Sequence, residues 1–433
     1  MKPVATPGGS GRAGGAGDAA VVGAAPVPRA GEQAGSRRRA PGGRGVLMLL
    51  ENNPYPTDPR VRAEARTLAE AGYRVTVVAP GTAGQPWREV LDGVAVYRYP
   101  APPAAEGVWG YVWEYGYSMA AMFVLSLLVS FRHGFDVIHA HNPPDTLVLI
   151  AAPYKLFGRR FVFDHHDIAP EMYEARFPGG RRSVSWALRF FERLSFRLAD
   201  HVISTNESYR TIALERGGLP PRRVTVLRNG PDLERLRPVP GDPALRRRAG
   251  TILGYVGAMG PQDGVDYLLR ALAHLVHDLG RRDVHCVIVG EGDAMAGLHR
   301  LTAELGLRSH VWFPGRVPDA DLVRYLCTAD ICLDPDPSNP FTDRSTMIKM
   351  AEYMALGKPI VAFDLPEHRV TAGGAALYAR PNDCRDFACK IAELMDSPET
   401  RRRMGERGKA RAETALAWTR HRHRLLAAYA ALP

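Results

Sequence analysis

The chain is short of cysteine, of long apolar runs and of any leader-like N-terminus, and each shortage excludes a class of protein. Its five cysteines all lie at or beyond Cys286 and none forms a C-x-x-C pair. That argues against a disulfide framework and a structural zinc site, and fits a reducing compartment. Residues 1–45 are rich in Gly, Ala, Pro and Arg, hold no apolar core of signal-peptide length, and read as a disordered tail. One uncharged apolar run stands out, Tyr115 to Phe131, 17 residues between Glu114 and Arg132. It is at the bottom of spanning length, and strand-like DVIHA follows at once, so it reads as a buried or surface-docked helix rather than a spanning one. Trp109, Tyr111, Trp113, Tyr115 and Tyr117 ahead of it suit a membrane interface and a protein core equally. Peripheral membrane contact through Tyr115 to Phe131 therefore stays open.

The 433 residues carry 56 Lys and Arg against 46 Asp and Glu, a net charge of +10. The tail supplies half of the excess, with seven basic residues and two acidic ones, so no nucleic-acid partner is implied. A mildly basic body suits nucleotide diphosphates or an anionic membrane surface, and plain solubility equally. The length predicts two domains plus the tail.

Apolar runs of strand length alternate with helical patterns: VLMLL at 46, RVTVVA at 74, DVIHA at 136, FVFD at 161, HVIST at 201 and VTVL at 224. Past a break come TILGYVG at 251, VHCVIVG at 284, VWFPG at 311, ICLDP at 331 and PIVAF at 359. This alternation predicts right-handed crossovers and parallel sheets covered on both faces, hence two doubly wound α/β domains. The break, RNGPDLERLRPVPGDPALRRRAG, has Pro231, Pro238, Pro240, Gly241 and Pro243 as linker marks. The expected layout is a first Rossmann-like domain over 46–235, a second over 236–415, and a basic helix over 416–433 that packs back towards the first. Open parallel sheets bind ligands outside the carboxyl ends of their strands, so two facing sheets define a cleft.

The stretch DPDPSNPFTDRSTMIKMAEYMALGKPIVAFD, from Asp334 to Asp364, reads as strand end, loop, helix start and next strand. A helix beginning near Ser345 would set Ser345, Lys349 and Glu352 on one face. Its free amides would favour a phosphate, Lys349 would add a point charge, and Glu352 would accept from sugar or ribose hydroxyls. The plainer alternative is a solvent-facing Lys349/Glu352 pair.

Taken in order, DPRVRAEARTLAEAGYRVTVV, DVIHAHNPPD, HVISTNESY, VTVLRNGPDL, GYVGAMGPQDGVDYLLRAL, VIVGEGDAM, VWFPGRVPDADLVRYLCTADICLDP and AEYMALGKPIVAFD resemble glycosyltransferase family 4 over about residues 46–430. DHHDIAPEMY together with STMIKMAEYMALGKP is similar to the bacterial surface-polysaccharide branch of that family. The resemblance implies the GT-B fold, two facing Rossmann-like domains with a cleft between them. It implies a retaining enzyme with a nucleotide diphosphate sugar as co-substrate, a glycan or lipid-linked acceptor, and no required metal or other cofactor. The acid that ends the family's E-x7-E motif is similar in place to Glu352, which implies a ribose contact. The first acid of the motif falls at Arg344, with Asp343 one residue away as the candidate substitute. The Arg and Lys of the family's GRL-x-x-x-KG turn fall at Ala258 and Asp263. Lys349, the Ser345 and Thr346 amides and Arg344 are left as the expected diphosphate contacts, with Gly257 and Gly260 allowing close backbone approach.

On the acceptor side, His139 and His141 leave their strand with the same facing, and one of them is expected to face the cleft. Asp164, His165, His166, Asp167 and Glu171 follow FVFD and resemble the family's acceptor loop; hydrogen bonding that closes the domain is the alternative. The catalytic candidates are thus His139, His141, His166, Asp167, Glu171 and Asp343. Arg60 lies either beside the incoming phosphate or at the surface. His139-x-His141, the HHD run at 165–167 and Asp334-x-Asp336 can mimic metal ligand sets, but none has further ligands at coordination-like spacing, and Pro335 and Pro337 stiffen the last.

The expected protein is a hexosyl-transferring enzyme of cell-surface polysaccharide or glycolipid biosynthesis, in the cytoplasm or at the inner face of the plasma membrane. No nucleophile is evident, and the family's front-face mechanism, in which the leaving phosphate takes the acceptor proton, is implied by the resemblance alone. Ala258, Asp263 and Arg344 motivate a rival, an inactive nucleotide-sugar-binding scaffold of a glycan assembly complex. An epimerase or hydrolase on the same fold is a second rival. A dinucleotide oxidoreductase is disfavoured because GEGDAM lacks the third glycine of G-x-G-x-x-G.

Overall fold

Runs of Val, Ile, Leu and Ala without polar alternation become strands buried on both faces. In the computed structural model, which describes residues 43–102 and 107–433, they form two sheets. The expected tail lies outside the described residues up to position 42, as do the side chains of Trp109 and Tyr111.

The first sheet has strands β1 (Gly45–Leu49), β2 (Arg74–Gly81), β3 (Arg88–Leu91), β4 (Val94–Pro100), β5 (Val137–His141), β6 (Arg160–His165), β7 (His201–Ser204) and β8 (Val224–Val226). Their order is β3-β4-β2-β1-β5-β6-β7-β8, parallel except where β3 pairs with β4. The second holds β9 (Thr251–Val256), β10 (Val284–Val289), β11 (Val311–Gly315), β12 (Ile331–Asp334), β13 (Ile360–Phe363) and β14 (Ala376–Ala379), ordered β11-β10-β9-β12-β13-β14 and parallel throughout. Every apolar run picked out in the sequence lies on one of these strands. The strands β3, β4 and β14 were not anticipated. The β3–β4 hairpin turns on Asp92 and Gly93 at φ 50° and 79°, the Asp-Gly signal of a type I′ turn.

In the first lobe the helices are α1 (Pro59–Glu70), α2 (Gly107–Arg132), α3 (Val148–Leu156), α4 (Ala169–Arg176), α5 (Arg182–Leu198) and α6 (Glu207–Glu215). Asp58 caps α1, its Oδ1 accepting from Val61 N at 2.9 Å, with Pro59 as first residue. Leu47 and Leu49 of β1 face one core with α2 and α3, whereas Val46 and Met48 face the other with α1 and the last helix, Trp418–Ala430. Leu425 and Tyr429 of that helix are fully buried under the first sheet, and Trp418 Nε1 donates to Thr67 Oγ1 at 2.9 Å. Burying a side chain the size of Leu425 contributes about 1.5–3 kcal/mol. The chain thus crosses to the second lobe and returns.

Among the described residues, one stretch of helix is long and apolar enough to cross a membrane, Trp113–Arg132. It packs on β2, β4 and α3, burying Ser118, Met122, Ser126 and Val129 along one stripe, while Trp113, Val124 and Phe131 are exposed on the outside. It is a surface helix of the sheet.

Candidate active site

β12 ends at Asp334, and Asp336 follows two residues on; both carboxyls are buried. Lys349 Nζ lies 2.9 Å from each Asp336 oxygen, 3.3 Å from Asp334 Oδ1, and 5.0 Å from the centre of the Tyr255 ring. Burial and the neighbouring Asp334 hold the Asp336 carboxyl well above its usual range. Burial also works to raise Asp334, but Lys349 and His368 outweigh it and hold that carboxyl low. Lys349 is therefore a paired cation rather than the free one expected to meet phosphate.

The helix expected near Ser345 begins later, at Ile348, and runs to Ala355. Before it come a 3-10 turn over Thr342–Arg344 and an extended Ser345 at φ −92°, ψ 133°. Local side-chain bonds compete with helix here: Asn339 Oδ1 accepts from Phe341 N and Thr342 N, and Ser345 Oγ donates to Phe341 O at 2.7 Å. Ser345 thus leaves the face shared by Lys349 and Glu352, and the first helical amides belong to Ile348 and Lys349. Glu352 pairs with Arg235, which also reaches Asp319 at 3.1 Å. Both the free ligand-binding face and the Lys349/Glu352 pair are thereby corrected, because each residue has another partner. Asp343 is half-buried with Oδ1 unpartnered, and Arg344 is exposed with Nη1 on Pro340 O at 2.8 Å.

After β9, Asp263 Oδ2 accepts from Gly260 N at 2.8 Å and Gln262 Nε2 at 3.1 Å, closing the turn upon itself. A Cβ at Gly257 would meet Tyr255 Oη at 2.7 Å, and one at Gly260 the Gln262 amide at 2.6 Å. Gly264, at φ 67°, has Pro335 O where a Cβ would stand, so this turn packs directly on the Asp334–Asp336 loop.

On the other side, His139 and His141 share a facing, with ring centres 4.2 Å apart, but both are fully buried and neither opens to a cleft. His139 Nδ1 lies 2.9 Å from Tyr429 Oη and His141 Nδ1 2.9 Å from Asp164 Oδ2. Burial pushes both imidazoles towards the neutral form. Arg60 is neither beside a phosphate nor at the surface. It is buried, holds Asp164 through two bonds of 2.7 Å, and donates to Leu227 O and Asn229 Oδ1. A carboxylate at the end of β6 draws it inward. Glu171 is likewise buried, paired with Arg216, which also binds Glu192 at 2.8 Å.

His166 and Asp167 remain half-buried past the end of β6. Asn142 holds their loop, accepting from His166 N at 2.8 Å and Asp167 N at 3.1 Å and donating to Asp167 O at 2.7 Å. Burial works against a charged His166, but Asp164, 3.3 Å away, outweighs it and raises the imidazole above its ordinary value. Burial pushes the Asp167 carboxyl up.

Sequence reasoning missed the residues that join the lobes. Asn206, capping α6, donates across to Arg344 O at 2.8 Å and Thr346 Oγ1 at 3.0 Å. Tyr209 Oη meets Ser345 Oγ at 2.9 Å, Ser208 Oγ donates to Glu367 Oε1 at 2.7 Å, and Arg176 pairs with Asp293. The loops past β6 and β7 therefore stand against those past β10, β12 and β13. Glu51 was missed too, although its place past the end of β1 marks it by the strand-end rule.

Residues 57–230 match the family described as Glycosyl transferase 4-like domain, and residues 250–397 the one described as Glycosyl transferases group 1. The chain belongs to the GT-B glycosyltransferases of family 4 type. It is a sugar-transferring enzyme of the hexosyltransferase kind. Among its relatives is the MMP alpha-(1->4)-mannosyltransferase of Mycolicibacterium hassiacum, 26% identical over 389 residues, 83% of this chain and 90% of that protein. Similar solved structures include sucrose-phosphate synthase from Thermosynechococcus elongatus, with TM-score 0.74, 18% identity, and 89% and 98% of the two chains covered. HepE of Anabaena in complex with UDP and glucose has TM-score 0.68, 18% identity, and 90% and 100% covered. Ala258 and Asp263 of this glycosyltransferase stand in the turn that Gly264 packs on the Asp334–Asp336 loop.

Proposed function

We propose that this glycosyltransferase moves a sugar from a nucleotide diphosphate sugar, held by the second lobe, to a hydroxyl of an acceptor held by the first, with the anomeric configuration retained. The observation that carries the reading is the convergence of both sheets' carboxyl edges, joined by Asn206, Ser208 and Tyr209. HepE, a neighbour in fold, is seen with UDP and glucose. The helical amides of Ile348 and Lys349 face the diphosphate, the exposed Arg344 swings from Pro340 O to a phosphate oxygen, Thr346 and Asp343 take sugar hydroxyls, and Glu352 takes a ribose hydroxyl while keeping one carboxylate oxygen on Arg235. Lys349 meets the leaving group by exchanging Asp336 for phosphate, and the departing phosphate takes the acceptor proton. His166 and Asp167 bind the acceptor.

Transfer needs no metal in this reading. Two clusters among the described residues have metal-like ligands, Glu64/His139/His141/Asp164 and Asp334/Asp336/His368. Arg60 already neutralises the first and Lys349 the second.

The acceptor is a glycan or lipid-linked glycan of the cell surface, met at the cytoplasmic face of the membrane. In support, Trp113, Val124 and Phe131 are exposed on α2, which packs on α3; Leu156 and Phe157 are exposed at the end of α3, which packs on α5; Trp186 and Phe190 are exposed on α5; and Arg132, Arg182, Arg193 and Arg197 are exposed on α2 and α5.

The test is thermal unfolding with UDP-, GDP-, ADP- and TDP-sugars. A ligand that binds only the folded state raises the melting temperature, so one nucleotide class is expected to stand out. No shift with any of them overturns the reading. The carboxylate of Asp263 and the occupied Lys349 favour one alternative, a nucleotide-binding scaffold, which would show a shift without transfer.

A further inference from the structure

A groove of about 380 Å³ runs between the end of β4 and the outer flank of α2. Tyr117, Ala120, Ala121, Val124 and Leu125 line one side at helical spacing, and Tyr99 lines the other. The two alanines leave the space; Tyr99 and Tyr117 stand with ring centres 6.5 Å apart at its head. The groove is apolar along its length and polar at one end. Behind its head, Tyr99 Oη and Ser118 Oγ are buried without a hydrogen-bond partner, in residues no more than 3% exposed. Buried polar atoms left unpaired mark a place where a ligand or water completes the set. Ser118 faces both the Tyr99 phenol and the Glu51 carboxyl without bonding either at normal geometry.

The direction of the groove follows from topology. β4 is parallel to β2 and β2 to β1, so Pro100 and Glu51 lie at the same carboxyl edge that meets the second lobe. α2 runs back from that edge, since it leads into the start of β5. Its tail end merges with the exposed apolar face of Val124 and Phe131, fringed by Arg132. A bilayer-borne molecule is the occupant that fits a groove wet at the reacting edge and continuous with an apolar, basic-fringed face at the other.

We propose that this groove holds one hydrocarbon chain of a lipid-linked acceptor, with its head group turned towards Ser118 and Glu51 at the cleft. The inference rests on the transferase reading and assigns the acceptor to the amphiphilic class. Ala120 and Ala121 set the width of chain admitted, and Glu51 accepts from a head-group hydroxyl.

The test is calorimetric binding of n-alkyl glucosides, from butyl to octyl and below their micelle concentrations, to the full chain. Affinity is expected to rise about fourfold per added methylene until the groove is full. Val124→Asp, at a position 62% exposed and so safe for folding, is expected to flatten that dependence, and Ala121→Trp to abolish binding. Affinity independent of chain length overturns the proposal, as does chain-length dependence that survives both substitutions. A concentration-dependent dimer abolished by Val124→Asp overturns it as well, because the face would then belong to a second copy. The nucleotide melting shift reads the other lobe, so its failure sinks the transferase reading without altering this result.

Discussion

Lys349 is held by two buried carboxyl groups, of which Asp334 is the one kept ionised, and truncating it leaves Asp334 without its cation. Removing one member of a buried pair costs about 3–5 kcal/mol. Lys349→Ala is expected to lose about that much in urea unfolding, together with diphosphate binding; unchanged stability would mean the pair is not formed. Glu352→Gln keeps shape and loses only charge towards Arg235, so it is expected to stay within about 1 kcal/mol of the parent while weakening nucleotide binding. An unaltered nucleotide melting shift removes Glu352 from the site. Glu51 carries a pH signature. Burial pushes its carboxyl up from 4.5 to about 7, so the fold favours the neutral form. Its contribution is fully present below the unfolded value and is lost as pH rises through the folded one, about 3 kcal/mol in all. Glu51→Gln is expected to be more stable than the parent above the folded value and not below the unfolded one, as measured by unfolding across pH.

At the level of elements, two helices carry consequences. α2 presents apolar side chains outward, with Arg132 exposed at its end. Phe131→Asp, at a position 86% exposed, is expected to reduce co-sedimentation with anionic vesicles without altering the melting temperature. The last helix returns to the first lobe, where Tyr429 Oη meets His139 Nδ1. Tyr429→Phe strands a fully buried imidazole nitrogen and is expected to cost about 1–3 kcal/mol in chemical denaturation. The apolar run of α2 was legible as a helix because it is uncharged and too short to span comfortably. Which of its faces stays bare was not legible, because inward Ser118 and Ser126 and outward Phe131 reverse the usual pattern.

At the scale of the molecule, the lobes are joined by the Arg176–Asp293 pair and by hydrogen bonds from the start of α6. Asn206→Ala removes both its bonds to Arg344 O and Thr346 Oγ1 and its cap on Tyr209 N. The expected result is a weaker KM for the donor by about tenfold, with a more open envelope in small-angle scattering; unchanged KM would mean that closure does not depend on this contact. Chelation by EDTA is expected to leave transfer unchanged, since Arg60 and Lys349 supply the charge that a cation would.

The sequence by itself determined the doubly wound architecture, because unbroken apolar runs of strand length between helical patterns have no other efficient burial. The ordered motifs likewise revealed the family. The β3–β4 hairpin was readable from Asp92-Gly93. Tertiary structure alone decided which polar residues are free. Arg60, His141 and Glu171 look like site residues because they are charged or titratable and stand near strand ends or a helix start. Partners distant in sequence, Asp164 and Arg216, draw them inside. The same holds for Lys349 and Glu352, claimed by Asp336 and Arg235. A charge is pulled into the interior wherever a buried counter-charge meets it, and only the folded chain brings the two together.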